Sequence, residues 1–375
     1  VRVCITRSER YAYSETFIRD QLSGLSRYAE IYSIHSSRLP EREENGKTLS
    51  PWLFWIMHKL VKGVTGQRNN YFGNYGIKKF FLENKIDVVL GNYGISAAHL
   101  MPVCREIDLP LVVIFHGHDA TDIKLVRTYA ERYKKLFAYS SSIVVVSNDM
   151  RDRLIALGAN SEKIRVIPCG VNLEKFNPST EDKEKLFLAV GRFVNKKGPL
   201  FTIRAFHEVW KKHPEARLTM VGAHQGLYKA CVQLVNSLDM QDAVSFPGVV
   251  THEEIRKLMD SAFAFVQHSV TAANGDMEGT PVSILEAASS GLPVISTFHG
   301  GIKDAVVHDR TGYLTAEGDI HAMAGYMSQL LDDPIRTRVM SKAARNHIAL
   351  HYDQDKQLKK LHALLVAAQQ TKKST

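Results

Sequence analysis

Short apolar runs rich in β-branched residues recur through the first half of the chain: VRVCIT (1–6), EIYSIH (30–35), IDVVLGN (86–92), LVVIF (111–115), SIVVVS (142–147) and KIRVIPC (163–169). Between most of them the apolar positions fall at helical spacing, as at Phe17, Ile18, Leu22 and Leu25. This alternation predicts a parallel sheet with helices on both faces, because a strand covered on both sides needs no polar face. The polar, turn-forming stretch 177–185 interrupts the pattern and reads as a linker. A second series then follows: KLFLAVG (185–191), RLTMVG (217–222), VSFPG (244–248), AFAFVQ (262–267), PVIST (293–297) and GYLT (312–315). Two Rossmann-like doubly wound α/β domains are therefore expected, at 1–178 and 179–350. They should face each other across a cleft at the carboxyl edges of their sheets, where such folds bind ligands. In 351–375, Leu358, Leu361, Leu364, Leu365 and Ala368 share one face and predict an amphipathic docking helix, with a frayed tail from Thr371.

The segment 36–74 fits this alternation poorly. Trp52, Phe54, Trp55, Ile56 and Met57 stand beside His58, Lys59 and Lys62, followed by Arg68, Tyr71, Phe72 and Tyr75. Two readings are open. One is a core or lid helix with a surface loop. The other is an interfacial helix, aromatics at the acyl boundary and lysines on anionic headgroups, which gives a peripheral membrane contact through 52–75. No run of apolar residues is long enough to span a bilayer as a helix.

The length of 375 residues suits two domains, and 45% apolar with 23% charged residues excludes a disordered, collagen-like or coiled-coil chain. Charge adds a direction. Residues 1–178 hold 25 of the 48 Lys and Arg but 18 of the 39 Asp and Glu, so they carry +7 of the total +9. The four cysteines are scattered singly, with no metal-ligand spacing, which points to a reducing cytosol. The first residues, VRVCIT followed by Arg7, Glu9 and Arg10, lack the apolar stretch of a secretory signal.

The most informative motif is Glu278-Gly-Thr-Pro-Val-Ser-Ile-Leu-Glu286, ending at Gly291-Leu-Pro293. Thr280 suits an N-cap and Pro281 the first helical position, so a helix is expected over about 281–290. Its start, Gly279 to Ser283, presents free N–H groups and a partial positive charge, a ready phosphate site. Eight residues at about 1.5 Å each separate the two carboxylates by up to about 12 Å, a span that suits a sugar at one end and a ribose at the other. The second motif, Val190-Gly-Arg192-Phe-Val-Asn-Lys196-Lys197-Gly198, places a planar fork and a point charge after a strand, the pair a diphosphate leaving group needs. A solvated basic turn is the alternative. The third, Phe115-His116-Gly-His118-Asp119, puts histidines at a strand's carboxyl end in an α/β cleft. No further ligand stands at metal-site spacing, so no metal is expected.

Together these stretches, with SxxMxxxLxxLG (147–158), RVIPCGVNLEKF (165–176), HGGIKD and DRTGYL (299–314), resemble glycosyltransferase family 4 over nearly the whole chain. Ser14-Glu15-Thr16-Phe-Ile18 and the HGHD stretch are similar to the branch that builds bacterial exopolysaccharide and colanic-acid-type repeats. The resemblance implies a GT-B fold whose C-terminal helix crosses back to the first domain, and a retaining, metal-independent hexosyl transfer from a nucleotide-diphosphate sugar. It implies catalytic roles for Glu278, His116, Arg192 and Lys197. It implies donor contacts from Arg192, Lys197, Gly222, Val249, Glu278, Gly279, Thr280, Pro281, Val282 and Glu286, with Glu286 on the ribose. Ser14, Glu15, Thr16, His118 and Asp119 fall on the acceptor side. Three departures stand out: Thr6 to Tyr13 lacks the family's glycine pair, Asn172 replaces a common aspartate, and Asp304 a common glutamate.

The expected partners are thus a nucleotide sugar and a glycan or lipid-diphosphate-linked acceptor, in the cytoplasm or at the inner face of the membrane. On this reading the basic first half faces an anionic lipid surface or acceptor, and no nucleic acid is involved. Two alternatives carry their own discriminators. A nucleotide-sugar epimerase of the same fold would form product without acceptor. A non-catalytic binder of anionic polymer or membrane would show steep salt dependence and no nucleotide-sugar affinity.

Overall fold

The computed structural model describes residues 1–9, 16–36, 39–51, 71–179 and 183–373. The chain forms two units. One comprises Val1–Ala120, Lys124–Ile167 and Gln357–Thr375, the other Thr121–Ile123 and Pro168–Lys356.

The first unit contains β1 (Arg2–Arg7), α1 (Thr16–Leu25), β2 (Glu30–His35), β3 (Arg42–Glu43), α2 (Tyr71–Glu83), β4 (Val88–Asn92), α3 (Gly94–Glu106) and β5 (Leu111–Phe115). It continues through α4 (His118–Thr121), α5 (Ile123–Tyr139), β6 (Ser142–Val145), α6 (Asn148–Ala156) and β7 (Ile164–Val166). The sheet order is β3-β2-β1-β4-β5-β6-β7, parallel except for the antiparallel pair β2/β3. Every residue of β4, β5 and β6 is buried, as continuous apolar runs require when helices cover both faces. Phe115 closes one of those faces, edge-on to Tyr133 at 5.4 Å. Ser147 caps α6 by accepting the Met150 N–H, the role its place in the SxxM motif suits.

The second unit contains β8 (Leu186–Val190), α7 (Pro199–Trp210), β9 (Arg217–Val221), α8 (Tyr228–Ser237), β10 (Val244–Gly248), α9 (His252–Ser261) and β11 (Ala264–Val266). Then come α10 (Val282–Ser289), β12 (Val294–Thr297), α11 (Ile302–Ala305), β13 (Gly312–Thr315), α12 (Ile320–Asp332) and α13 (Pro334–His351). Its order is β10-β9-β8-β11-β12-β13, all parallel. One face packs Phe187, Ile203, Phe206, Leu218 and Val266, and the other Leu188, Val221, Phe265, Ile284 and Leu285. Each such side chain contributes roughly 1.5–3 kcal/mol by leaving water.

The last helix, α14 (Gln354–Lys373), starts in the second unit and runs on into the first. Leu358, Leu361, Leu365 and Ala368 are its buried stripe, and a Cβ on Gly24 of α1 would meet Leu358 Cδ1 at 2.3 Å.

All twelve apolar runs named above form strands. The thirteenth, β3, is two polar residues on the sheet edge and has no apolar signature to betray it. The helix of the glutamate motif is also shifted: its N-cap is Pro281, it begins at Val282, and no side chain caps it. Thr280 therefore does not cap, because the extended backbone at Pro281 (ψ 111°) puts the turn one residue later.

In each sheet the winding reverses direction at a central pair of strands, β1/β4 in the first unit and β8/β11 in the second. Loops leaving the carboxyl ends of such a pair diverge to opposite faces, which opens room for a ligand.

Candidate active site

In the second unit the loop after β8 carries Gly191 and Arg192, a 3₁₀ turn over Asn195–Lys197, and Gly198. Gly198 holds φ at +51°, and a Cβ there would lie 1.9 Å from the His268 carbonyl oxygen, so only glycine lets this loop lie against the chain after β11. The turn aims two neighbouring lysines at different partners. Lys197 Nζ lies 3.2 Å from Gln267 Oε1 and 3.5 Å from Glu278 Oε1, which joins the loops of the β8/β11 pair. Lys196 Nζ lies 3.1 Å from Asp276 Oδ1 and donates to the Met277 carbonyl at 3.2 Å.

Glu278 is buried. Its Oε1 has no hydrogen-bond partner among the described residues beyond the 3.5 Å approach of Lys197. Burial by itself raises its carboxyl pKa, but the ammonium groups of Lys197 and Lys196 outweigh that and hold it below the usual glutamate value. Burial pushes the Lys197 ammonium down, with Glu278 opposing in part. The site is thus a pair of charges kept ionised by each other in a dry setting.

A further histidine positions the glutamate. His299 Nε2 accepts the Glu278 backbone N–H at 3.0 Å, so its Nδ1 carries the hydrogen that reaches Glu317 Oε1 at 2.6 Å. Glu317 also accepts the Thr271 N–H at 2.7 Å. Gly300, at φ +43°, comes so close behind that a Cβ would lie 2.2 Å from the Glu278 carbonyl oxygen. The preceding loop is pinned by Thr121 Oγ1, which accepts the Met277 N–H, and by Asp122, which accepts from Asn274. Neither His299 nor Lys196 has a role in the sequence reading. The only hint was a histidine directly ahead of a glycine pair.

Around this cluster the remaining donor-side residues take their places. The Arg192 side chain is exposed and makes no hydrogen bond or ion pair among the described residues. At the start of α10, after buried Gly279, Thr280 and Pro281, the N–H groups of Val282 and Ser283 have no acceptor among the described residues. Glu286 lies half-buried a turn further on. The Gly222 N–H, after β9, donates to Gly248 O at the end of β10 at 3.0 Å, which brings Gly222 near the exposed Val249. Asn172 Oδ1 accepts the N–H groups of Glu174 and Lys175, as an aspartate there would.

In the first unit the carboxyl ends of β1, β4 and β5 are joined by a neutral network. Asn92 Nδ2 donates to the Thr6 carbonyl at 3.0 Å, and His116 Nε2 meets Asn92 Oδ1 at 2.8 Å. The His116 ring lies between Phe17 at 4.6 Å and Tyr93 at 4.9 Å, so α1 brings Phe17 to the histidine. Burial pushes its imidazole pKa down to about 3. The Asp119 carboxylate is fully buried and accepts the backbone N–H groups of Gly94, His116 and Gly117, so it braces the loop. His118 is exposed at the start of α4, and Thr16 opens α1. Ser14 and Glu15 lie outside the described residues, as does the aromatic segment from Trp52 to Asn70.

Among the described residues no group of three or more His, Cys, Asp or Glu side chains could hold a metal ion, and no helix is long and apolar enough to cross a membrane.

Comparison with known proteins follows the same division. Residues 171–347 match the family "Glycosyl transferases group 1", and residues 21–175 match "Glycosyltransferase Family 4". The chain is 31% identical over 335 residues to the amylovoran biosynthesis glycosyltransferase AmsK of Erwinia amylovora, covering 84% of this chain and 81% of that one. It is 30% identical to the putative colanic acid biosynthesis glycosyltransferase WcaL of Escherichia coli, over 76% of this chain and 71% of the relative. Among solved structures, Anabaena HepE in complex with UDP-glucose superposes with a TM-score of 0.77 at 16% identity, over 98% of this chain and 99% of that chain. Sucrose-phosphate synthase from Thermosynechococcus elongatus gives 0.75 at 18%, over 98% and 99%. These likenesses establish the fold as GT-B.

Proposed function

Since the chain belongs to glycosyltransferase family 4 and uses a nucleotide-sugar donor, we propose that it transfers a hexose, with retention, to a glycan or lipid-linked glycan in surface polysaccharide assembly. The relatives named for amylovoran and colanic acid biosynthesis support the polysaccharide setting, and a neighbour solved with UDP-glucose supports a UDP-sugar donor. The place of action on this reading is the inner face of the cytoplasmic membrane.

The observation that carries the proposal is the convergence on the β8/β11 end of the second unit. There Lys197 is held between Gln267 and Glu278, and among the described residues the Arg192 side chain and two N–H groups at the start of α10 have no partner. A departing diphosphate gathers negative charge, and cations and N–H dipoles already in place stabilise it without reorganising. Glu278 is already committed to Lys197 and held by His299 through its backbone, so it orients the sugar and is not a covalent nucleophile. The acceptor hydroxyl approaches the anomeric carbon on the leaving group's side. A diphosphate oxygen takes its proton as the new glycosidic bond replaces the old one. In the family the first-domain histidine, here His116, serves the donor sugar near its reacting end.

The test is a panel of UDP-, GDP- and ADP-sugars offered with and without glycan acceptors, with the anomeric configuration of the product read by NMR. Retained product that requires acceptor supports the proposal. Inverted product, or sugar isomerised without acceptor, overturns it.

A further inference from the structure

The neutral network at the carboxyl ends of β1, β4 and β5 contains a residue with no assigned role. Asn92 is fully buried at the end of β4. Its amide orientation is fixed by its neighbours: the Thr6 carbonyl can only accept, so Asn92 Nδ2 faces Thr6 and Oδ1 faces His116. The hydrogen of the His116 ring must then sit on Nε2, where Asn92 Oδ1 accepts it at 2.8 Å. Nδ1 is left with a bare lone pair, buried and with no hydrogen-bond partner among the described residues. A histidine that served only as a brace would satisfy both nitrogens, since a buried unpaired one is unfavourable. The backbone around it is strained in the same direction. Tyr93, next to Asn92, holds φ at +67° and sets its ring edge-on to His116.

We propose that Asn92 is a positioning residue: it locks His116 in the Nε2–H tautomer, so that Nδ1 acts as a hydrogen-bond acceptor for a sugar hydroxyl. This rests on the reading above in which His116 serves the sugar. It deepens that reading by naming the atom, the tautomer and the residue that sets it. The ring is kept neutral, with its pKa pushed down to about 3 by burial, so the acceptor persists across the physiological range. Among the described residues, the titratable groups on the elements around the ring are few. They are Asp119 and His118 on its own loop, Tyr93 after β4, Arg7 with its partner Glu44 at the end of β1, and Arg19 and Asp20 on α1. Asp119 is occupied by backbone N–H groups.

The experiment is ring-nitrogen NMR of the whole protein labelled at histidine, between about pH 5 and pH 8, on the parent, Asn92→Leu and Asn92→Asp. The parent should show a bare Nδ1 and a protonated Nε2 throughout. Asn92→Leu should give a mixture of tautomers, and Asn92→Asp, which sets a carboxylate beside Nε2, should let Nδ1 take up a proton within that range. A parent ring protonated at Nδ1, or one that neither substitution alters, overturns the proposal.

Kinetics with UDP-glucose, GDP-mannose and UDP-galactose as donors separate this from the reading it rests on. Asn92→Asp should gain an acidic limb in kcat that tracks the NMR titration, and Asn92→Leu should lose about tenfold to a hundredfold. His116→Asn, with an oxygen near the Nδ1 position, should keep more turnover than His116→Gln, which mimics Nε2. The reverse order overturns the acceptor role even if both Asn92 variants fail to fold. Tautomer results as expected beside a kcat indifferent to every His116 substitution would sink the sugar-binding reading and leave the Asn92–His116 lock standing.

Discussion

The two units share a parallel doubly wound sheet with one central reversal of winding, yet they fill the end of that reversal with opposite chemistry. At β8/β11 the chain gathers Lys196, Lys197, Asp276, Glu278 and the His299–Glu317 pair, nearly all buried or half-buried and ion-paired. At β1/β4 it gathers Thr6, Asn92 and a neutral His116, and spends the buried Asp119 carboxylate on backbone N–H groups. A charged leaving group needs fixed charges already paired and dry, and a sugar hydroxyl needs only a directed neutral acceptor or donor. The same fold therefore hosts two site types, and side chains on the strand-end loops set the difference.

The sharpest way to break this comparison is to remove the second unit's cations. Arg192→Ala with Lys197→Ala should lower turnover by about a thousandfold or more, measured as product formed per enzyme. Transfer at the parent rate would sink the assignment. The two singles should part in stability: Lys197→Ala strands a buried carboxylate and should destabilise by about 3–5 kcal/mol, whereas Arg192→Ala, at an exposed side chain, should stay within about 0.5 kcal/mol in urea unfolding.

His299→Phe comes next, because it leaves the Glu278 N–H without an acceptor. A loss of about 1–3 kcal/mol and a lower kcat are expected. Glu317→Gln, which keeps an oxygen for His299 Nδ1–H, should do less harm. Equal effects would show that the charge of Glu317, and not its geometry, is what matters.

Acid then discriminates between the units. With its folded pKa pushed down to about 3, His116 refuses a proton that the unfolded chain takes up below its ordinary value of 6.5. Its contribution to stability is lost as pH falls through that window, at up to about 1.4 kcal/mol per pH unit. His268 of the second unit, pushed down to about 4, adds the same sign. Glu278, lowered by Lys197 and Lys196, acts further into acid: its contribution is present above the ordinary glutamate value and lost as pH falls through its folded one. His116→Gln should therefore flatten the stability profile between about pH 6 and pH 4, read from thermal midpoints, and leave the more acidic limb in place. An unchanged profile would mean that the ring titrates normally.

The smallest effect expected is at the membrane. Trp52→Ser with Trp55→Ser should weaken binding to anionic vesicles only a few-fold if the basic charge of the first half does most of the work, at about 1 kcal/mol per basic residue near the surface. Vesicle binding equal to the parent's would assign the aromatic segment a structural role.

Much of this was legible in the chain itself. Every apolar run assigned to a strand is one, because burial on both faces of a parallel sheet leaves a short continuous run, and its β-branched content and bounding turn residues set it apart from a buried helix segment. The glutamate motif and the Arg192–Lys197 loop were equally visible. The misses have local causes. β3 is short and polar, and it pairs at the sheet edge with β2. The start of α10 moved because Pro281 kept an extended ψ, which Thr280 and Pro281 as residue types do not fix. Asn92 stood at the end of an apolar run, and a buried amide there was the one available sign of a polar network.

By itself, then, the sequence determined the number of sheets, the strands in them and which loops carry cations and carboxylates, since periodicity and turn chemistry act over a few residues. Only the tertiary structure decided which of two adjacent lysines meets Asp276 and which meets Glu278, some 80 positions away. It alone set His299 behind the glutamate and chose which nitrogen of His116 holds the hydrogen. Those choices depend on hydrogen bonds between strand ends distant in sequence, and short-range pattern carries no record of them.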